Sequence, residues 1–570
     1  TLSPMGSRTL KRWLALPLTS LEQIQKRHQV VAYLVENSEV REKVREQLQR
    51  VNDLERLLSK VVTTKITPRE VIYLKNSLRA ILPIWELALS SPCAALTSLA
   101  QQIHPLDTLC DRIETMLNED APVNILKGEV IKENFSSELD ELRNLSVSGK
   151  NYLDQMLERE IQQTHISSLK IDSNNVFGYY FEVRNVHKDK VPPHWIRKQT
   201  LVNAERYITE ELKEYEEKIT HAQERITALE QEFFSQLITE IIQYISPIQQ
   251  TATAIGQIDA LCGFSTLAVE NHYSCPTLDD SLVIDLKGAR HPVIEKQLPP
   301  TQPYITNDIY LDNESQQIMM ITGPNMSGKS ALLRQVALIV LMAQIGSFVP
   351  ATEAKIGIVD KIFTRVGASD NISQGESTFM VEMNETALIL NNLSNRSLIV
   401  LDEIGRGTST YDGISIAWAI AEYLHEHPTH AKTLFATHYH ELNEMQNEFS
   451  RIKNFSVSVK EVKGSILFLR KLIEGGSEHS FGIHVAKMAG MPQYVIEKAN
   501  SVLKKLERSH QLEDNKKQLT QKEGMQLSFF QLDDPLLEDI KRQILDTNID
   551  NLTPIEALMK LNNIKRMLQK

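Results

Sequence analysis

Gly323-Pro324-Asn325-Met326-Ser327-Gly328-Lys329-Ser330 fits the pattern G-x-x-x-x-G-K-[ST]. It follows the apolar run Ile318-Met319-Met320-Ile321 and opens the apolar stretch Ala331 to Gln344. Strand before and helix after are the setting in which this pattern cradles phosphate. Its glycines let backbone N–H groups turn inward around anionic oxygens at a helix N-terminus. In that geometry Lys329 reaches the β- and γ-phosphates of a nucleotide and Ser330 ligates Mg²⁺.

Two more short apolar runs belong with the first. Leu398-Ile399-Val400-Leu401 ends in Asp402-Glu403, and Thr433-Leu434-Phe435-Ala436 leads through Thr437 into His438. Runs of this type read as buried strands of a doubly wound α/β sheet, whose ligands bind beyond the carboxyl ends of the strands. The three ends are therefore expected to converge. Asp402 is a candidate Mg²⁺ partner, Glu403 a candidate general base for water, and His438 a candidate sensor of the γ-phosphate. Two polar, glycine-containing loops lie nearby, Ser373 to Glu382 and Gly405 to Gly413. The first reads as an anion nest. The second lacks the third glycine of a dinucleotide fingerprint, so NAD binding is not indicated.

Working outward, residues 1–136 read as a helical core, with apolar residues at three- and four-residue spacing. Ser137 and Asp140 resemble a capping box that opens a further helix. Short strands follow around Leu169 to Val183, so 137–210 reads as a small β-containing insert. From Asn203 to Ser246 there is neither Gly nor Pro, and apolar residues from Leu212 to Ile241 step by threes and fours. That predicts one helix on the order of 60 Å long, returning over 211–272 to the α/β region at 273–508. Residues 509–570 read as a charged linker and a helical tail, with Thr553, Pro554 and Glu556 starting its last helix. The fold class is thus multidomain α and α/β.

Composition narrows the function classes. Of 570 residues, 42% are hydrophobic and 24% charged, which excludes a wholly disordered chain. No run of about 18 consecutive apolar residues occurs, so no membrane partnership is expected. Cys93, Cys110, Cys262 and Cys275 are scattered, and His272 with Cys275 makes no zinc site. A reducing, cytoplasmic setting follows. The net charge of −11 argues against a generally basic nucleic-acid binder. Locally, Arg184 to Arg206 holds six basic residues against two acidic ones, and Arg184, Lys188, Arg197 and Lys198 are candidate phosphate contacts.

Taken together, the P-loop octapeptide, Ser377 to Met383, Asp402 to Thr410 and Ala436 to Tyr439 resemble the MutS family of DNA mismatch repair ATPases. Pro4 to Arg8 and Tyr207 to Lys213 extend the resemblance over nearly the whole chain. It implies a helical lever, a clamp at 137–210 touching the DNA backbone, and an ABC-type ATPase that works as a homodimer. It further implies ATP and Mg²⁺ as cofactors, the downstream factor MutL as partner, and a bacterial, nucleoid-associated location. By the same resemblance Ser377 reaches the partner subunit's nucleotide and Tyr304 stacks on adenine. The family's N-terminal mismatch-reading and connector domains are expected to be lacking, since the sequence begins at the lever. Phe181-Glu182-Val183 lies in the clamp strands and is not taken as the mismatch wedge. Gln526, Leu527, Phe529 and Phe530, within Gln526-Leu527-Ser528-Phe529-Phe530, resemble a pentapeptide that binds the bacterial sliding clamp. The alternatives are a MutS paralogue acting on recombination intermediates, a transporter ATPase, and an ATPase with long coiled-coil arms. The helix at 203–246 is too short for the last, and the basic segment fits DNA better than a transporter.

Overall fold

The computed structural model describes residues 1–174, 178–299, 301–324, 327–367, 378–462, 465–476 and 482–504. The chain divides into two units, Thr1–Gly482 and Ile483–Lys570. In the second, residues 493–504 form a helix. The expected linker and tail, with Gln526, Leu527, Phe529 and Phe530, lie outside the described residues.

The first unit opens with seven helices between Pro4 and Met116. Three of them carry side-chain caps for the backbone N–H groups orphaned at a helix start. Ser3 accepts from Gly6 N, Asp53 from Arg56 N, and Thr67 forms a full capping box with Glu70. The next helix, Ser137–Thr164, is capped by Ser136, one residue before the expected Ser137, while Asp140 accepts from the Asn134 amide.

A four-stranded antiparallel sheet follows, of β1 (Lys170–Asn174), β2 (Gly178–Arg184), β3 (Ile196–Thr200) and β4 (Ala204–Ile208), in the order β1-β2-β4-β3. This corrects the expected helix from Asn203. Residues 204–208 pair with both β2 and β3, and the helix starts only at Glu210, where the Thr209 hydroxyl accepts from Leu212 N. The helix Glu210–Ile242 has 33 residues, so its length is roughly 50 Å. Freedom from Gly and Pro does not distinguish a helix from an alternating strand.

The long arm runs beside Ser137–Thr164 and passes into the helix Ile245–Asn271 at the centre of the helical core. That helix is long and apolar enough to cross a membrane, yet 67% of its apolar window is buried in the protein. Asp259 on it, 1% exposed, accepts from the Ser3 amide and hydroxyl at 2.7 Å each.

The α/β part holds two sheets. β5 (Thr277–Asp279), β6 (Ile284–Ala289), β7 (Asn307–Leu311) and β9 (Glu353–Gly357) form one, in the order β5-β9-β6-β7. The other has the order β10-β11-β12-β8-β13-β14, from β8 (Ile318–Thr322), β10 (Ile362–Arg365), β11 (Leu398–Asp402), β12 (Lys432–Ala436), β13 (Ile452–Val462) and β14 (Ser465–Glu474). All its pairings are parallel except β13 with β14. The three expected strands are β8, β11 and β12, side by side at its centre. Their side chains alternate between two cores: Met319, Ile321, Leu398, Val400, Leu434 and Ala436 pack on the side of the helix Lys329–Ile345, and Ile318, Met320, Ile399, Leu401 and Phe435 on the side of the helix Thr410–Glu426. Burial on both faces explains why the runs are continuously apolar.

The helical and α/β parts meet at the C-terminal end of Lys329–Ile345. Arg27 donates to the Ile345 carbonyl at 2.9 Å while its guanidinium lies 3.5 Å above the Trp13 ring. A cation at the negative end of a helix and over an aromatic face is favoured twice. Gln344 donates to the carbonyls of Leu18 and Val359, both at 2.8 Å, and accepts from the Val359 amide. Gly346 turns the chain at φ +97°, where a Cβ would stand 2.4 Å from that of Arg27.

His28, next to Arg27, is 6% exposed, and burial lowers its pKa from 6.5 to about 4. The folded protein therefore resists protonation that the unfolded chain accepts below pH 6.5. Stability should fall as the pH drops from 6.5 towards 4, by about 2 kcal/mol at pH 5. Urea midpoints of the wild type and His28→Gln at pH 7.5 and pH 5 check this. The wild type should lose more than the variant, and equal losses would contradict it.

Candidate functional site

The parallel register levels Asp402 with Ala436, and Ala436 with Ile321. Just beyond this one edge lie Gly323 after β8, Glu403 after β11, and Thr437 and His438 after β12. The three strand ends predicted to converge do so.

Gly323 and Gly328 adopt φ +140° and +102° as the chain turns from β8 into the helix Lys329–Ile345. Left-handed backbone of this kind suits glycine alone, and it allows successive N–H groups to face one anion. Asn325 and Met326 lie outside the described residues. Ser327 is 1% exposed, and its hydroxyl has no hydrogen-bond partner among the described residues. Lys329, 4% exposed, donates to the carbonyls of Gly323 and Pro324. Burial lowers its pKa, and the nearby carboxylates of Glu403 and Asp402 oppose that shift.

Asp402 sits half-buried at the end of β11, where burial raises its pKa against a hydrogen bond from the Ser330 hydroxyl. Its Oδ1 is buried without a hydrogen-bond partner among the described residues. A hydroxyl and a carboxylate with an unused oxygen form a hard donor set of the kind Mg²⁺ takes. Ser330 and Asp402 thus fit the ion that the sequence implies.

Glu403 turns the chain off the sheet in a left-handed conformation, φ +56°, with its amide bonded to the Ala436 carbonyl at 2.8 Å. Its carboxylate is held by Arg406. His438 is half-buried and its pKa is lowered by burial, with Glu403 opposing. Its Nδ1 is buried and without a hydrogen-bond partner among the described residues. Tyr304 donates to Gln335 at 2.8 Å, and burial pushes its pKa up to about 12. Gln335 is six residues past Lys329, roughly 9 Å along the helix axis. Ser377 lies outside the described residues.

Three residues of this region had no expected role. Glu382 and Tyr439 bond to Gly405, two residues after Glu403, and Arg365 pairs with Glu382. Glu382 and Tyr439 lay inside quoted motifs, but pairing across the fold has no local signal. Arg365 ends a strand too short to stand out by its pattern.

The basic segment is divided by the fold. Lys188 and Arg197 both pair with Glu205 Oε1, at 3.0 and 3.4 Å, and Glu205 also accepts from the Tyr207 hydroxyl. Arg206 pairs with Glu182 and stacks over Tyr180. Arg184, Lys190 and Lys198 are exposed and form no ion pair among the described residues. Two of the four candidate phosphate contacts therefore also serve a carboxylate that is 2% exposed.

Comparison with known proteins covers both parts of the chain. Residues 1–265 match the family model of MutS domain III, and residues 319–507 that of MutS domain V. DNA mismatch repair proteins MutS of Christiangramia forsetii, Flavobacterium johnsoniae and Bacteroides thetaiotaomicron are 65%, 63% and 58% identical across the whole of this chain. The chain spans 65%, 66% and 67% of their respective lengths.

Lys329→Ala should abolish binding of a nucleoside triphosphate while leaving the unfolding temperature within a few degrees of the wild type. Titration with a fluorescent ATP analogue measures it. Undiminished affinity would show that this loop is not the phosphate cradle.

Proposed function

The chain belongs to the MutS family, and from that premise we propose that it hydrolyses ATP to switch a clamp on duplex DNA during mismatch repair. One observation carries the reading: Lys329, Asp402, Glu403 and His438 meet at the carboxyl ends of three adjacent parallel strands.

In this reading the N–H groups of the turn before Lys329, and Lys329 itself, hold the phosphates of ATP. Ser330 and Asp402 hold Mg²⁺, which neutralises phosphate charge when bound. Glu403 takes a proton from the attacking water, and His438 orients groups around the γ-phosphate. Tyr304, supported by Gln335, offers the adenine a ring face. Ser377, by its resemblance, completes the nucleotide site of a partner subunit, so hydrolysis needs a homodimer.

The clamp is the sheet β1 to β4, carried on the helices Ser137–Thr164 and Glu210–Ile242. Its exposed cations, Arg184, Lys190 and Lys198, meet phosphates without reading sequence. Lys188 and Arg197 do so while sharing Glu205. Arg27 and Gln344, which tie the P-loop helix to the helical core, support transmission of the nucleotide state to the arm. MutL is the downstream partner in this reading, and Gln526, Leu527, Phe529 and Phe530 supply a tether to the replication sliding clamp. Action on recombination intermediates has no observation in its favour.

Glu403→Ala should retain ATP and lose turnover by 10²- to 10⁴-fold, a range typical of removing a general base. Paired measurement of ATP affinity and phosphate release checks this, and unchanged turnover would remove Glu403 from the base role. For the clamp, neutralising Arg184, Lys190 and Lys198 together should lower the slope of log K against log salt by up to about 0.9 for each phosphate no longer neutralised. The weakening should be equal across duplex sequences. An unchanged slope would make this face a solvated surface.

A further inference from the structure

We propose that Glu382 is a positioning residue for hydrolysis, holding through Gly405 the loop that presents Glu403. The proposal rests on the reading of Glu403 as the base.

Glu403 stands in a left-handed conformation, φ +56°, which a side-chain-bearing residue adopts only at a cost. Such a residue persists only where its surroundings over-determine it. On the β11 side the constraint is the bond from its amide to the Ala436 carbonyl. On the other side it is Gly405. The Gly405 amide donates to Glu382 Oε1 at 2.6 Å, and the Gly405 carbonyl accepts from the Tyr439 hydroxyl at 2.9 Å. Both polar atoms of this residue are thus gripped, by side chains from two different elements. Glu382 belongs to the helix Thr378–Leu390, and Tyr439 follows His438.

Steric contacts close the same node. Gly405 has φ +87°, and a Cβ there would stand 2.6 Å from the Gly413 carbonyl oxygen. A Cβ on Gly413 would stand 2.3 Å from the Tyr439 hydroxyl. The loop from Glu403 to Gly413 therefore packs backbone against backbone, with Tyr439 as its wall.

Glu382 is 6% exposed, so its charge needs compensation. Arg365 at the end of β10 supplies it, 3.3 Å from Oε2, and pairs in turn with Glu385 at 3.2 Å. A carboxylate makes the bond to the amide charge-assisted, short and directional. A shift of the helix Thr378–Leu390 would accordingly pull on the Gly405 amide and move Glu403. This puts the base under the control of an element that does not carry it.

The test uses the full chain, with ATP, Mg²⁺ and duplex DNA, in single-turnover hydrolysis. Glu382→Ala should lower the rate at least tenfold, with ATP affinity changed less than twofold. Glu382→Gln keeps an acceptor for the Gly405 amide and should recover most of the rate. In a Glu403→Ala background, Glu382→Ala should cost less than a further twofold, because the group it positions is gone. Rate, affinity and unfolding temperature falling together, or Gln being as defective as Ala, would overturn the proposal. If Glu382→Ala fails to fold, Tyr439→Phe releases the Gly405 carbonyl from the other side and should lower the rate several-fold at unchanged affinity. A wild-type rate in Tyr439→Phe would then overturn the proposal. Normal turnover in Glu403→Ala alone would defeat the base reading itself. An inactive Glu403→Ala beside fully active Glu382→Ala and Tyr439→Phe would defeat only the positioning.

Discussion

One helix, Lys329–Ile345, joins the candidate phosphate loop at its N-terminus to the helical core at its C-terminus. At its N-terminus, after the loop of Gly323 and Gly328, stands Lys329, whose charge the carboxylates of Glu403 and Asp402 favour. At its C-terminus the dipole is negative, and Arg27 caps the Ile345 carbonyl while Gln344 bonds to Leu18. The first end is where phosphate would bind. The second is where the helical core begins. Between them the helix is packed on β8, β11 and β12 through Leu333, Val336, Ile339 and Val340, all fully buried. A close-packed rod of this kind passes displacement along its length rather than absorbing it.

Much of the candidate nucleotide site was legible because its signals are local. The glycines of the P-loop need particular backbone conformations, and the strands at 318–322, 398–402 and 432–436 are apolar on both faces. Such features leave their mark within a few residues. The helix Glu210–Ile242 was legible in its body but not at its start, since residues 204–208 carry no glycine or proline and no regular alternation to announce a strand. The contacts that hold the parts together were not legible. Arg27 with Ile345 spans more than three hundred residues, Ser3 with Asp259 more than two hundred and fifty, and Glu382 with Gly405 crosses from one element to another. Each is an ordinary polar residue until the fold supplies its partner.

Charge tells a similar story. A count over Arg184 to Arg206 gives an excess of basic residues, yet Lys188 and Arg197 converge on Glu205 and Arg206 on Glu182. The exposed cations that remain are Arg184, Lys190 and Lys198. Removing Lys188 or Arg197 would also strip a buried carboxylate of a counter-charge, so a loss of binding could arise from either cause. The net charge of −11 says little here, because a phosphate backbone meets a face and not an average.

Coupling between the nucleotide loop and the arm is tested most directly by amide hydrogen exchange of the full chain on duplex DNA, with and without ATP and Mg²⁺. If the P-loop helix transmits its position through Arg27, ATP should alter exchange over residues 21–36 and 210–242 as well as over 329–345. In Arg27→Leu the change should stay within 329–345. A change confined to 329–345 in the wild type would contradict transmission through this helix.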